Sequence, residues 1–248
     1  KPGGLSLVPT EDMPSFENSI IGLFMRNTGV SKFKKTTLTK MLSGKNVSMT
    51  PSVGRLYSEL SGSSSVKDLE TAMQLMYLSF VEPRFDQEEY DQGIAQIKTI
   101  LPNLMGQPDY RLQKEVNKTL YSNNPRIPVL SPEVLEKASL QTVEKNYRKL
   151  FNDAAGAVLV IVGDVDLDTL KPLVEKYAGS IPKGKKATAW VDTHEDIARG
   201  KLENVFEEKM ETPMTTVLQL VTEYKPYTVE EEVNRSAVKY VLDMIYTQ

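Results

Sequence analysis

The spacing of apolar positions divides the chain into helical and strand-like stretches that do not follow a strict strand–helix alternation. Residues 1–16, KPGGLSLVPTEDMPSF, are rich in turn formers, and a helix is predicted from near Met13. Ile20, Ile21, Leu23 and Phe24 recur at helical spacing, and Asn27-Thr28-Gly29 supplies a stop. A second short helix is expected over Thr37–Leu42, ended by Ser43-Gly44. Val47, Met49 and Val53, then Leu56, Ser58 and Leu60, alternate as the two arms of a hairpin inside Gly44–Gly62. Pro51 has no N–H to give a central ladder, which confines its strand to an edge or a bulge.

Further on, Leu69, Ala72, Met73, Met76, Tyr77 and Phe80 make the apolar stripe of a helix over Val66–Val81, stopped by Glu82-Pro83. Asp86 opens the next one, with Glu88, Glu89 and Asp91 in or near the first turn, where the helix dipole favours anions. Asp109–Tyr121 and Ser131–Phe151 read as further helices, with Ser139 as a weak capping signal. Val158–Val162 is an unbroken β-branched run, the signature of a strand buried on both faces. Asp166 caps a helix over Leu167–Tyr177. Val205–Met210 and Thr216–Glu223 alternate as strands, and Thr228–Tyr246 carries a helical stripe through Val233, Ala237, Tyr240, Val241, Met244 and Ile245. Strands with helices gathered on one face imply an α+β fold with an antiparallel or mixed sheet.

Composition narrows the classes of function. The 248 residues carry a net charge of −3, which argues against a general nucleic-acid binder. The basic runs Lys32–Lys35 and Lys183–Lys186 read as solvated loops. The absence of cysteine removes disulfides, thiol catalysis and zinc ribbons. No apolar run is long enough for a transmembrane segment. The compartment stays open, and a bacterial periplasm or cell envelope is compatible with all of this.

Four stretches in order carry a resemblance. They are the helix Met13–Gly29 with the hairpin SGKNVSMTPSVGRLYSELSG; the joint VEPRFDQEEYDQ; SLQTVEKNYRKLF running into VIVGDVD; and KPLVEKYAGSIP. Together they resemble the insulinase/pitrilysin-type zinc metallopeptidases, which include the mitochondrial processing peptidases. The resemblance spans roughly Gly4–Pro182. It implies the LuxS/processing-peptidase-like metallohydrolase architecture, in which repeated α+β units close around a chamber for unfolded peptide. In the catalytic unit of that family a helix carries His-x-x-Glu-His, and a glutamate from a later helix completes the zinc site. Here the matching positions are Asn18, Ile21 and Gly22, and the later helix offers Gln96-Ile97-Lys98-Thr99-Ile100. With one histidine in the whole chain, His194, a two-histidine site cannot be assembled.

The resemblance therefore implies a metal-free, inactive homologous domain, with no catalytic, cofactor-binding or metal residue of its own. Zinc is expected in a catalytic half, in the same chain or in a partner subunit. The implied partners are that zinc-bearing half and an extended peptide substrate. The alternative is a scaffold or interaction protein derived from the same family, as in core subunits of respiratory complexes. Whether the chain acts as an enzyme is left open, and alone it is expected to be inactive. The domains are expected at 1–182 (the metal-free unit), 183–190 (a linker within GSIPKGKKAT) and 191–248 (the start of a second homologous unit, ending inside or just past a helix as a trimmed piece would).

Other chemistry-bearing residues have simpler explanations. His194, beside Glu195 and Asp196, reads as a solvated linker residue, and Glu230–Glu232 as first-turn acids. Ser19, Ser58 and Ser61 have no histidine partner in sequence. Ser43-Gly44-Lys45 is not a phosphate loop. Trp190 is expected to pack the linker onto a domain, with stacking on a ligand as the alternative. Gly44–Gly62 reads as an edge protected by Pro51 and Lys45, with addition of a peptide strand to that edge as the alternative.

Overall fold

The computed structural model describes residues 1–151, 153–184, 186–208, 215–220 and 225–246. They fall into two compact units, Lys1–Glu207 and Glu208–Gln248.

In the first unit, Thr10–Phe16 forms a 3-10 helix and α1 follows at Asn18–Asn27. The single helix expected from Met13 is thus broken at Glu17, whose carboxylate accepts from the backbone N–H of Ser19 (2.9 Å) and Ile20 (3.3 Å) and starts α1. Burial pushes this carboxyl up despite those bonds. Then come α2 (Lys35–Met41), the strands β1 (Val47–Val53) and β2 (Ser58–Ser64), α3 (Leu69–Val81), α4 (Gln87–Met105) and α5 (Pro108–Tyr121). Asp86 caps α4 through Glu89 N–H at 3.0 Å.

The stretch Ser131–Phe151 is two helices, α6 (Pro132–Lys137) and α7 (Leu140–Phe151). Ala138 is extended there, and Ser139 restarts the helix by accepting from Thr142 N–H at 3.2 Å. The Ser139 N–H itself is taken by the buried Ser15 hydroxyl. Asp166 caps α8 (Leu167–Leu173), which runs on as a π-helical turn, Val174–Ala178.

Three apolar clusters join these elements. In the largest, Phe24 of α1 and Tyr90 of α4 meet Val143, Tyr147 and Phe151 of α7. Tyr147 stacks on Phe151 with ring centroids 4.4 Å apart, and Phe80 of α3 meets Phe151 edge-on at 5.8 Å. Ile20 packs with Ile97 and Leu101 of α4 and Leu135 of α6. Met73 and Met76 pack with Ile181. The fold is α+β, as the sequence implies, with an antiparallel sheet and helices packed against it.

Among the described residues that sheet has two strands. The central strand expected at Val158–Val162 does not form. Residues 157–162 are coil, and Val158, Val160 and Val162 are 82%, 74% and 92% exposed. High strand propensity is not enough without a neighbouring edge to take the backbone N–H and C=O groups. The strands expected at Val205–Met210 and Thr216–Glu223 are likewise absent where described: residues 205–208 and 216–220 are coil, and the remainder lies outside the described residues.

Residues 188–206 run along the first unit. Thr188 Oγ1 donates to Pro2 C=O (2.8 Å), Val191 N–H to Ser6 Oγ (3.1 Å) and Ala198 N–H to Leu120 C=O (2.7 Å). Trp190 stays exposed. In the second unit α9 spans Val229–Tyr246, opened by Thr228, whose hydroxyl accepts from Glu231 N–H.

Candidate functional site

The residues aligned with the zinc motif lie at the start and middle of α1. Asn18 is exposed, Ile21 is buried in the core and Gly22 has no side chain. On the facing α4, Gln96 and Thr99 are exposed, and the Thr99 hydroxyl is spent on Ala95 C=O at 2.9 Å. The two helices pack closely, with Gly93 leaving room for Leu23. The donor set does not fit zinc: an amide, an isoleucine and a glycine offer no imidazole or carboxylate. Among the described residues, no group of three or more His, Cys, Asp and Glu is arranged to hold a metal ion. Position 22 is covered by a different charge. A Cβ placed there would lie 3.3 Å from Nη1 of Arg26, so the guanidinium folds back over this turn of α1.

The other residues singled out in sequence are dispersed. His194 is exposed, with a left-handed φ of 52° and Nδ1 3.7 Å from Asp192. Glu88 pairs with Lys34 at 2.8 Å, and Glu89 accepts from Lys35 N–H at 3.0 Å. These acids pin α2 to α4, a role beyond the dipole. Ser58 is buried, Ser61 is exposed, and neither has a histidine nearby. Met73 and Met76 are core residues.

What the structure does assemble is a groove of about 500 Å³ between α1, α2 and β1. Phe24 and Met25 of α1 and Leu38 and Leu42 of α2 give it apolar walls, and Val47–Pro51 border it as a strand edge. The edge can be read from the ladder. Ser65 N–H donates to Asn46 C=O and Gly54 N–H to Tyr57 C=O, which makes the even-numbered positions of β1 the hydrogen-bonded pairs with β2. Val47, Met49, Pro51 and Val53 therefore turn their backbone groups the other way. No hydrogen bond from these groups to another part of the described chain takes them up. The proline removes one donor and leaves three N–H and four C=O groups available.

The charge of the groove is one-sided. Arg26, Lys35, Lys45 and Arg84 line it, and no aspartate or glutamate does. Arg84 is neutralised by Asp86 and Glu89, and Lys45 bonds Thr71 Oγ1 and approaches Asp68. The side-chain cations of Arg26 and Lys35 have no such partner among the described residues. Sequence reasoning found the edge strand. It missed Arg26, and it read Lys35, within the run Lys32–Lys35, as part of a solvated loop, whereas Lys35 opens α2.

The family profile described as the peptidase M16 inactive domain matches residues 137–242. No match is found among curated proteins. Among solved structures, the chain is similar to the periplasmic protease PqqL from Escherichia coli, with a TM-score of 0.61, 19% identity, and 80% of this chain and 21% of that one covered. It is also similar to the ferredoxin protease FusC, solved as a mutant in complex with Arabidopsis ferredoxin (TM-score 0.54, 18% identity, 76% and 20% covered). For pitrilysin the TM-score is 0.53 at 15% identity, with 75% and 20% covered. At these identities the likeness is one of fold, and the chain spans about a fifth of the length of each of these proteins. Residues 137–242, less than half of the chain, are thus similar to the peptidase M16 inactive domain, and the fold is shared with PqqL and pitrilysin.

Proposed function

We propose that the chain is the non-catalytic partner in an insulinase-like zinc metalloendopeptidase, completing a peptide-binding chamber and supporting a catalytic half that carries the zinc. The observation that carries this reading is the free edge of β1 beside an apolar groove, on a helix pair whose metal positions hold no ligands. An extended peptide can add to such an edge through its main chain, independently of sequence, while side chains settle into the groove. A chamber that must accept unfolded segments of many sequences needs this kind of contact. In this reading 1–182 is the metal-free unit, 183–190 a linker, and 191–248 the start of a second homologous unit.

Photocrosslinking tests it. An extended peptide with a photoreactive residue is incubated with the chain, and the labelled sites are mapped by mass spectrometry. Labels on Val47–Val53 and the facing α2 are expected. Labelling that never falls on these elements would count against the chamber role and favour a scaffold derived from the same family. Limited proteolysis addresses the domain division, which requires early cleavage within 183–190. First cleavage at Glu207-Glu208 with 183–190 intact would move the boundary.

A further inference from the structure

We infer that the β1 groove selects acidic extended segments, with the Arg26 guanidinium and the Lys35 ammonium as the groups that read a carboxylate. The inference rests on the peptide-binding reading above and adds the chemistry of the ligand. Its basis is the imbalance of charge around the groove. Four cations line it with no anion among them, and two of the four are already used by protein partners. Arg26 and Lys35 stand on the two helices that flank the strand edge, α1 and α2. A peptide adding to β1 would lie in the groove that both helices line, with alternate side chains on either face of its own strand.

Arg26 suits the task. Gly22, one turn earlier on α1, has no side chain, and this lets the guanidinium lie against the helix, where a larger residue would displace it. A planar guanidinium presents paired N–H donors that match a carboxylate. The apolar walls beside it lower the local dielectric and strengthen such a contact relative to open water. A lysine or arginine on the peptide would meet like charge at the same place. A neutral polar residue would gain neither attraction nor repulsion. Both cations remain exposed, so the selectivity should be moderate and sensitive to salt.

Fluorescence anisotropy on the full chain decides it, with three labelled probes of equal length: a peptide alternating Val with Glu, its Val/Gln counterpart and its Val/Lys counterpart. At low ionic strength the Glu peptide should bind about fivefold tighter than the Gln peptide, and the Lys peptide weakest, in line with one to two partly exposed charge-assisted contacts. High salt should bring the three together. The double variant Arg26→Glu with Lys35→Glu should reverse the order. Both positions are exposed, and an unchanged melting curve verifies that the variant folds. Equal binding of the Glu and Lys peptides to the unaltered chain overturns the charge selectivity and leaves the peptide-binding reading standing. A Glu preference that persists in the double variant also overturns it, since the selecting charge then lies elsewhere. Failure of all three probes to bind overturns both.

Discussion

Two short stretches of this chain have the makings of strands, and they meet opposite fates. VSMTPSV, the β1 sequence, contains a proline and three hydroxyl residues, and it forms a strand. AVLVIV, at 157–162, has far higher strand propensity and is exposed coil. The difference is the partner. β1 is joined to β2 by the tight turn Gly54–Tyr57, closed by the Gly54 N–H bond to Tyr57 C=O, so its partner edge comes at little cost in loop entropy. α3 packs against both strands, and the partly buried Val53 and Leu60 join the core beneath. The 157–162 run has neither a paired edge nor a helix over it among the described residues. Propensity decides only when a partner edge and a packing surface are already supplied.

The largest effect should come from the layer beneath the hairpin. Phe151 is 1% exposed and packs on Tyr147 and Phe80, so Phe151→Ala should cost about 3–5 kcal/mol in urea denaturation. A loss below about 1 kcal/mol would mean that the hairpin is not resting on this core.

A third region sharpens the contrast, because it is coil that is nonetheless held. Arg126 and Glu195 are each 8% exposed at the side chain and pair at 2.7 Å. Arg126 also donates to Val8 C=O and Leu5 C=O. Arg126→Ala leaves the carboxylate and two carbonyls without this partner, and should cost about 3 kcal/mol and expose the 188–198 segment to protease. The pH dependence follows from the same carboxyl. Burial pushes its pKa up, but the bonds from Arg126 and Thr193 and the nearby Arg55 outweigh that, holding it below the usual value of 4.5. A depressed folded-state pKa contributes stability that is complete above about pH 4.5 and is lost as pH falls through the folded value. The urea midpoint should therefore drop on acidification, and drop less in Arg126→Ala.

Smaller still should be the effect of charging the exposed run. Val160→Lys is expected to change stability by no more than about 0.5 kcal/mol, the range for surface substitutions. A cost above about 2 kcal/mol in thermal or urea melts would show that the run is buried in solution, and would break the comparison. The finest test is amide exchange along β1. Ser48, Thr50 and Ser52 face β2 and should exchange more slowly than Val47, Met49 and Val53. The amides of Val158–Val162 should exchange at near-unprotected rates. Uniform protection along β1 would mean that its outer edge is covered.

Much of this architecture is readable from local signals. The stripes of α1 and α3 and the caps at Asp86, Asp166 and Thr228 operate as local signals should: a side-chain oxygen three residues from the N–H group it satisfies. The lack of a second histidine was also legible, because ligand identity is a property of residue type. The break of Ser131–Phe151 into two helices was legible only as the capping signal at Ser139; the bond that takes up the Ser139 N–H comes from Ser15, more than a hundred residues away, and was not. The groove was legible only in part. Pro51 marked an edge, but that Arg26 and Lys35 stand beside it depends on how α1 and α2 fold around β1.

The sequence by itself determined which residues can start helices, which positions are apolar, and that no two-histidine zinc site exists here. Those properties belong to single side chains or to neighbours within a turn. Tertiary structure alone decided which strand-prone run becomes a strand, which carboxylate is held by a buried arginine, and which cations are left facing a groove. Each of these depends on partners brought from far along the chain, and a hydrogen bond, an ion pair or a strand edge is defined by both of its halves.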